Sequence, residues 1–381
     1  MILHVIDNLY PESGGPPTVA IELVRQQALM GRKVALLCTH APRKPEQRAL
    51  LAERWRGLDI EYIVLDELTT GGAAGARAAV DRLRPDVVHI HCMWEALVRQ
   101  MASHCRKRGI PYVLSTHGML HPFVLAQKRL KKLVYLTVFP GIISGAGELF
   151  ALNREEADHI SRTFRRPSSV LPNGISVDDY ARPEKGLFRT RYPAIGDRGF
   201  ILFVGRLHPI KGIDKLIRSY AHARSRGLGL ELVVVGPEEC QLAELEALAG
   251  ELRLQEHVHF PGALYGADKL DAFAACTIFA HRPRFEGFGI TVVEALASGK
   301  PVVTTRECKL DGSEHAGALR MVEDTDEAFG DALLEVASRP DAGRALGMQG
   351  QAWVRSTLGW EALALQAEAA YVRARSLIGN P

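Results

Sequence analysis

Paired cysteines are missing from this chain. Its six cysteines (Cys38, Cys92, Cys105, Cys240, Cys276 and Cys308) are scattered over 381 residues without a CxxC pair, and several stand inside apolar runs. That pattern fits buried, reduced thiols in a reducing compartment rather than a disulfide framework. Charge of one sign is scarce too. A formal net charge of +3, spread along the chain, gives no ground for nucleic-acid binding. No hydrophobic run is long enough to span a bilayer unbroken: the most apolar one, 133–152, contains Pro140 and Glu148 and reads as helix, loop and strand. The start, MILHVIDNLY, lacks the basic flank and cleavage site of a signal peptide. Repeats and low-complexity segments are absent as well. The glycine fingerprints of dinucleotide binding are incomplete, since GFGITV, GLGLEL and GAGELF each lack the third glycine, and there is no GxxxxGK loop. Neither a nicotinamide enzyme nor a P-loop NTPase is therefore supported. What remains is a cytoplasmic-type α/β chain whose hydrophobic content of 47% is ample for two cores.

What is present is a regular alternation of strand and helix patterns. An apolar run at 2–6 reads as a buried strand, followed by a loop, 7–17, carrying Gly14 and Gly15, and a helical pattern over 18–30 stopped by Gly31. Further strands are expected at 34–38, 60–65, 86–92 and 111–118, with helices at 73–83 and 94–108. A basic amphipathic segment (121–135), the strand GELFALN, the helix REEADHISR and the strand SSVLPNGI complete the first series. The polar stretch 178–197, with Pro183 and Pro193, reads as an interdomain linker. A second series starts with GFILFVGRL at 199–207 and ends with one long helix over 359–377. Strands alternating with helices throughout imply parallel, doubly wound sheets. The expected fold is α/β, with two Rossmann-like domains, 1–182 and 199–355, facing a cleft.

The stretch 280–305, AHRPRFEGFGITVVEALASGKPVVTT, has the layout strand, glycine loop, helix, strand. Ligands of such sheets bind where strands end and helices begin. Gly287, Phe288 and Gly289 let backbone approach a ligand, and the amides of a helix starting near Ile290 suit phosphate oxygens. Glu286 in the loop and Glu294 one turn into the helix suit the hydroxyls of a sugar or ribose; the alternative is a loop charge and a solvated helix residue. In GRLHPIKG, Arg206 and Lys211 flank a strand-to-helix loop. A forked guanidinium and a compact ammonium there suit a diphosphate; the alternative is two solvated loop cations. Taken together, the two stretches describe a nucleotide-sugar pocket. His117, in STHG at a strand end, reads as a site residue or as a turn histidine. His89 and His91 alternate on one strand face at a metal-ligating spacing. With no further ligand cluster evident near them, packed or cleft-lining histidines are expected.

FVGRLHPIKGIDKLI, FEGFGITVVEALASGKPVV, the NG of VLPNGI and the GGPP loop stand in the order of a known family, and Glu286 and Glu294 have its seven-residue spacing. Over nearly its full length the chain resembles the retaining family 4 glycosyltransferases of GT-B fold (glycosyl transferases group 1). The resemblance implies a donor diphosphate held by Arg206 and Lys211. It implies a donor sugar and phosphate held by Glu286 with the backbone of Gly287, Phe288, Gly289 and Ile290, and ribose hydroxyls on Glu294. Gly14 and Gly15 would approach the phosphate or acceptor, and His117 the donor sugar across the cleft. Catalytic roles fall to His117, Arg206, Lys211 and Glu286. The leaving phosphate can accept the acceptor's proton, so neither a dedicated base nor an essential metal or other cofactor is expected. Asp324-Thr325-Asp326 mimics the DxD of metal-dependent glycosyltransferases, but it opens a helix, where Asp is a normal N-cap. The terminal helix, 359–381, would pack back on the first domain. Asn153 departs from the serine common in relatives.

The resemblance implies transfer of a sugar from a UDP- or GDP-sugar to a hydroxyl of a glycan or polyprenyl-diphosphate-linked acceptor in bacterial surface polysaccharide (lipopolysaccharide) biosynthesis. Alternatives are a nucleotide-sugar epimerase or hydrolase on the same frame, and a non-catalytic carbohydrate-binding protein. The basic segment with Lys128, Arg129, Lys131 and Lys132 is either a solvated face or a peripheral contact with anionic lipid on the inner face of the plasma membrane.

Overall fold

Two stretches of chain each build a parallel sheet flanked by helices. The computed structural model describes residues 1–10, 15–65, 72–181, 187–195, 198–314 and 316–377; the expected site residue Gly14 lies outside them. One compact unit comprises Met1–Gly174 with Trp360–Pro381, and the other Ile175–Gly359.

The first unit runs β1 (Ile2–Asn8), α1 (Gly15–Leu29), β2 (Val34–His40), α2 (Pro45–Arg54), β3 (Ile60–Val64), α3 (Gly72–Leu83), β4 (Val87–His91), α4 (Ala96–Arg108) and β5 (Tyr112–Ser115). It continues with α5 (Pro122–Ala126), α6 (Arg129–Val138), α7 (Gly141–Ser144), β6 (Glu148–Ala151), α8 (Arg154–Phe164) and β7 (Ser169–Val170). The strand order is β3-β2-β1-β4-β5-β6-β7, all parallel, so the order reverses between β1 and β4. Every residue of β4 is buried, as expected of a strand covered on both faces. Gly15 is already helical, so the glycine loop ends earlier than expected. Pro16 and Pro17 occupy the first turn of α1, where a missing N–H costs nothing. The basic segment is two short helices rather than one, broken at Gln127–Lys128, where Lys128 has φ 53°.

The second unit contains α9 (Val177–Tyr180), α10 (Leu187–Arg191), β8 (Phe200–Val204), α11 (Ile213–Ser225), β9 (Glu231–Val235), α12 (Leu242–Glu251), β10 (Val258–Gly262), α13 (Gly266–Ala275) and β11 (Ile278–His281). After these come α14 (Ile290–Ala297), β12 (Val302–Thr305), β13 (Arg320–Val322), α15 (Asp326–Ser338) and α16 (Pro340–Leu358). Its parallel order, β10-β9-β8-β11-β12-β13, reverses between β8 and β11. The stretch expected to be a linker belongs to this unit. Tyr180 stacks edge-on against Phe273, and Phe188 packs on Phe200, so apolar anchors outweigh the polar average of the segment.

The last helix, α17 (Trp360–Ser376), lies on α1, β4, β5 and β6 of the first unit. Trp360, Leu363, Ala367, Ala370, Tyr371 and Ala374 form a core with Val19, Leu23 and Phe150. The indole of Trp360 covers Gly174 so closely that a Cβ there would lie 2.5 Å from the ring. Five cysteines are buried and Cys240 is exposed. Among the described residues no helix is long and apolar enough to cross a membrane. Removing the indole opens a cavity in this core, so Trp360→Ala should cost about 3–5 kcal/mol of stability in urea or thermal unfolding.

Candidate active site

Doubly wound sheets bind ligands at the carboxyl edge where strand order reverses. In the second unit that point lies between β8 and β11. Lys211 follows β8, Glu286 follows β11, and the Lys211 ammonium is ion-paired to Glu286 Oε2. His281, the last residue of β11, lies with Nε2 3.2 Å from the same oxygen. Burial alone would raise the Glu286 carboxyl, but the hydrogen bond with His281 and the charge of Lys211 outweigh it and hold the group at about 2. At neutral pH Glu286 is therefore an anion, an acceptor for hydroxyl groups.

Two glycines make this arrangement possible. Gly212, at φ 64°, passes so close to the Arg282 carbonyl that a Cβ would sit 2.1 Å from its oxygen. Gly289, at φ 71°, is the N-cap of α14 and packs against the Cys308 thiol. Left-handed backbone turns the chain into the helix here, and the first amides of α14 have no partner within the helix. The loop is fastened on its other side by hydrogen bonds between Glu286 and the backbone of Glu307 and Lys309. Phe288 is buried beneath it, Ile290 is exposed at the helix start, and a Cβ on Gly287 would meet open space.

Glu294 is buried rather than solvated. Its Oε1 accepts hydrogen bonds from Tyr180 Oη at 2.6 Å and Lys269 Nζ at 2.7 Å, while the buried Oε2 has no partner among the described residues. A buried, unpaired carboxylate oxygen is a place for a hydroxyl donor. Arg206 is exposed and donates to Glu239 at 2.8 Å. The second unit thus brings Lys211, Glu286 and the α14 start together. The Asp324-Thr325-Asp326 stretch is corrected in its role. Thr325, not Asp, is the N-cap of α15, and both aspartates hold the buried guanidinium of Arg282, with Nε 2.8 Å from Asp324.

In the first unit His117 has φ 51° and follows β5. Its Nε2 lies 3.0 Å from His91 Nδ1, and burial holds the imidazole at about 4, so it is neutral at pH 7. The loop that carries it is fixed by Glu156, a buried carboxylate of α8. Glu156 accepts from the Thr116 hydroxyl at 2.8 Å and from the amides of Gly118, Leu120 and Leu152 at 2.7–3.1 Å. Asn153, the departure noted in the sequence, caps α8 through the Glu156 amide. A Cβ on Gly15 would lie 3.1 Å from Asn173 Nδ2. The absence of further ligands near His89 and His91 is corrected: His4 on β1 pairs in register with His89, and one ring nitrogen from each of the three lies within 4.8 Å of the others.

The sequence profile described as "Glycosyltransferase Family 4" matches residues 13–179, and that of "Glycosyl transferases group 1" matches 185–353. The chain belongs to glycosyltransferase family 4. A relative of this glycosyltransferase is the GDP-mannose-dependent alpha-(1-6)-phosphatidylinositol monomannoside mannosyltransferase of Mycobacterium tuberculosis, 26% identical over 95% of this chain and 96% of its own. The D-inositol 3-phosphate glycosyltransferase of Actinosynnema mirum is 29% identical over 76% of this chain and 74% of its own. The structure of Anabaena Alr3699/HepE in complex with UDP is 18% identical, has a TM-score of 0.76, and matches over 97% of this chain and 99% of its own. That likeness shows the GT-B fold of two Rossmann-like domains.

Several of the glycosyltransferase's site-supporting residues were not singled out in the sequence. Glu156 carried a signal, as the third residue after an N-cap Asn. Tyr180, Lys269, His281 and His4 carried none, because each reaches its partner only through tertiary packing. Glu156→Ala leaves the Thr116 hydroxyl and three amides without their acceptor and should cost about 3 kcal/mol or more in urea unfolding. The buried histidines also set a pH dependence. Burial lowers His4 from 6.5 to about 4, and His89 and His91 fall well below 6.5. The unfolded chain takes up these protons first, so stability is full above pH 6.5 and is lost as pH falls toward 4. Unfolding free energy should drop by about 2 kcal/mol for each such imidazole between pH 7.5 and pH 5. A flat profile over that range is the contrary result.

Proposed function

We propose that this glycosyltransferase is a retaining, metal-independent enzyme that moves a sugar from a UDP- or GDP-sugar to a hydroxyl of a glycan or polyprenyl-diphosphate-linked acceptor, in surface polysaccharide biosynthesis. The observation that carries the donor reading is the Lys211–Glu286 pair beside the α14 start at the strand-order reversal of the second unit. A diphosphate supplies anionic oxygens for Lys211, Arg206 and the α14 amides, and the ionised Glu286 accepts from sugar hydroxyls. The unpaired oxygen of Glu294 supports a ribose hydroxyl there. Backbone at Gly287, Phe288 and Gly289 lines the sugar and phosphate. The GDP-mannose dependence of the Mycobacterium tuberculosis relative and the UDP bound in the Anabaena structure support a nucleoside diphosphate donor.

In this reaction the bond from the anomeric carbon to the diphosphate oxygen breaks. The acceptor oxygen bonds to the same face, and its proton passes to the departing phosphate. Lys211 and Arg206 act where negative charge develops on the leaving group. The family resemblance assigns His117 to the transferred sugar and Gly14 and Gly15 to the phosphate or acceptor. Helix α6 supports contact with anionic lipid: Leu130, Leu133, Val134 and Val138 are exposed beside the exposed Lys128, Arg129 and Lys131. Lys132 takes no part in that face, because its ammonium donates to the Val124 carbonyl and lies 5.6 Å from the Trp94 ring.

Melting temperature measured in EDTA with UDP-, GDP-, ADP- and dTDP-sugars tests donor and metal independence together, since a ligand of the folded state raises it by mass action. One sugar nucleotide should raise it; no shift with any of them counts against the donor site. Glu286→Ala and Lys211→Ala should abolish transfer while leaving unfolding cooperative, and near-normal turnover in either would overturn the assignment. Donor breakdown without acceptor would point to a hydrolase or epimerase. Binding to anionic vesicles, measured by sedimentation, should fall about tenfold in Leu130→Ser/Leu133→Ser.

A further inference from the structure

His4, His89 and His91 are links in one hydrogen-bonded run that ends at His117. From one end, Ser115 Oγ meets His89 Nε2 at 2.7 Å, and His89 Nδ1 meets Tyr371 Oη at 2.8 Å. Gln27 Nε2 reaches the same phenol oxygen at 3.2 Å, and Gln27 Oε1 meets His4 Nε2 at 2.8 Å. His4 Nδ1 meets His91 Nε2 at 3.0 Å, and His91 Nδ1 meets His117 Nε2 at 3.0 Å. Both nitrogens of all three clustered histidines are thus already engaged, and the three rings are fully buried. A metal ion would have to break this run to bind, so the cluster is better read as a relay of hydrogen bonds than as a metal centre.

The run has a direction. Each buried imidazole is neutral at pH 7 and carries one N–H and one lone pair. An amide oxygen only accepts, so His4 carries its proton on Nε2 and accepts at Nδ1. His91 must then donate from Nε2 and accept at Nδ1, and His117 must donate from Nε2. On the other side the Gln27 amide donates to the Tyr371 oxygen, the phenol donates to His89 Nδ1, and His89 Nε2 donates to Ser115. Every link is satisfied with one proton apiece. The remaining nitrogen of His117, Nδ1, has no hydrogen-bond partner among the described residues.

We propose that Gln27 is a positioning residue that fixes the tautomer of His117 through His4 and His91, so that His117 presents a bare Nδ1 that accepts a hydrogen bond from a substrate hydroxyl. Tyr371, from the last helix, accepts from the Gln27 amide. The hydroxyl contact rests on the sugar-binding reading of His117; the tautomer does not.

The test is two-bond 1H–15N correlation on the full chain labelled with 15N-histidine, with the His117 signals assigned by their loss in His117→Ala. In the unsubstituted protein His117 should be the Nε2–H tautomer, in about tenfold or greater excess, because the other form leaves two buried lone pairs facing each other without a proton between them. Gln27→Met should let both tautomers of His117 appear. Ser115→Ala, beyond Gln27 on the other branch, should leave them unchanged. An Nδ1–H or doubly protonated His117, or a tautomer ratio that Gln27→Met does not move, overturns the proposal. The first spectrum alone decides the direction if Gln27→Met fails to fold. Normal transfer by His117→Ala would instead sink only the sugar-binding reading and leave the tautomer result standing.

Discussion

A parallel strand can be followed by another only after the chain has crossed back over the sheet, so every strand-to-helix loop emerges at the same edge. Both units of this protein obey that constraint, and each reverses its strand order after the first strand of its series, at β1/β4 and at β8/β11. At such a reversal neighbouring loops part in opposite directions and leave room for a ligand. The groups with chemical potential follow from this geometry. Lys211 and Glu286 are far apart in sequence yet meet because β8 and β11 are neighbours. His91 and His117 meet because β4 and β5 are neighbours.

Loops placed this way need to be held, and each unit does so with a buried charged group that gathers backbone and side-chain partners. Glu156 gathers the amides around His117. Arg282 ties the end of β11 to α11 and to the start of α15, donating to the Lys215 carbonyl, Ser219 and the two aspartates. A charge removed from water is tolerated only with such a complete set of partners, and losing one partner is costly. The same groups that look like surface acids and bases in a sequence are here the fasteners of the site.

How much of this was legible in the sequence depended on whether a feature is local. The strands around FILFV and VVHIH, the glycine loop of Glu286 and the return of the last helix were readable from periodicity, turn residues and the family resemblance. The meeting of His4 with His89 was not, because it needs the knowledge that β1 lies beside β4 rather than beside some other strand. Gln27 and Tyr371 were unremarkable members of helical patterns until the fold turned their polar ends inward. The stretch 178–197 misled by its average polarity, since the rings of Tyr180 and Phe188 anchor its described helices. Asp324 and Asp326 were read only as residues opening a helix, because their partner Arg282 is distant in sequence.

The position of α17 has a consequence for how the protein is made. The first unit begins with β1 but takes its closing helix, and the phenol of Tyr371, from beyond the whole of the second unit. During synthesis at the ribosome, β1, β4 and β5 emerge long before residue 371 exists, with the α17-facing side of their core uncovered and Gln27 lacking its acceptor. Ile175–Gly359 has no such debt to later residues, and domains fold as units as they emerge. The unit that starts first is therefore the one that finishes last.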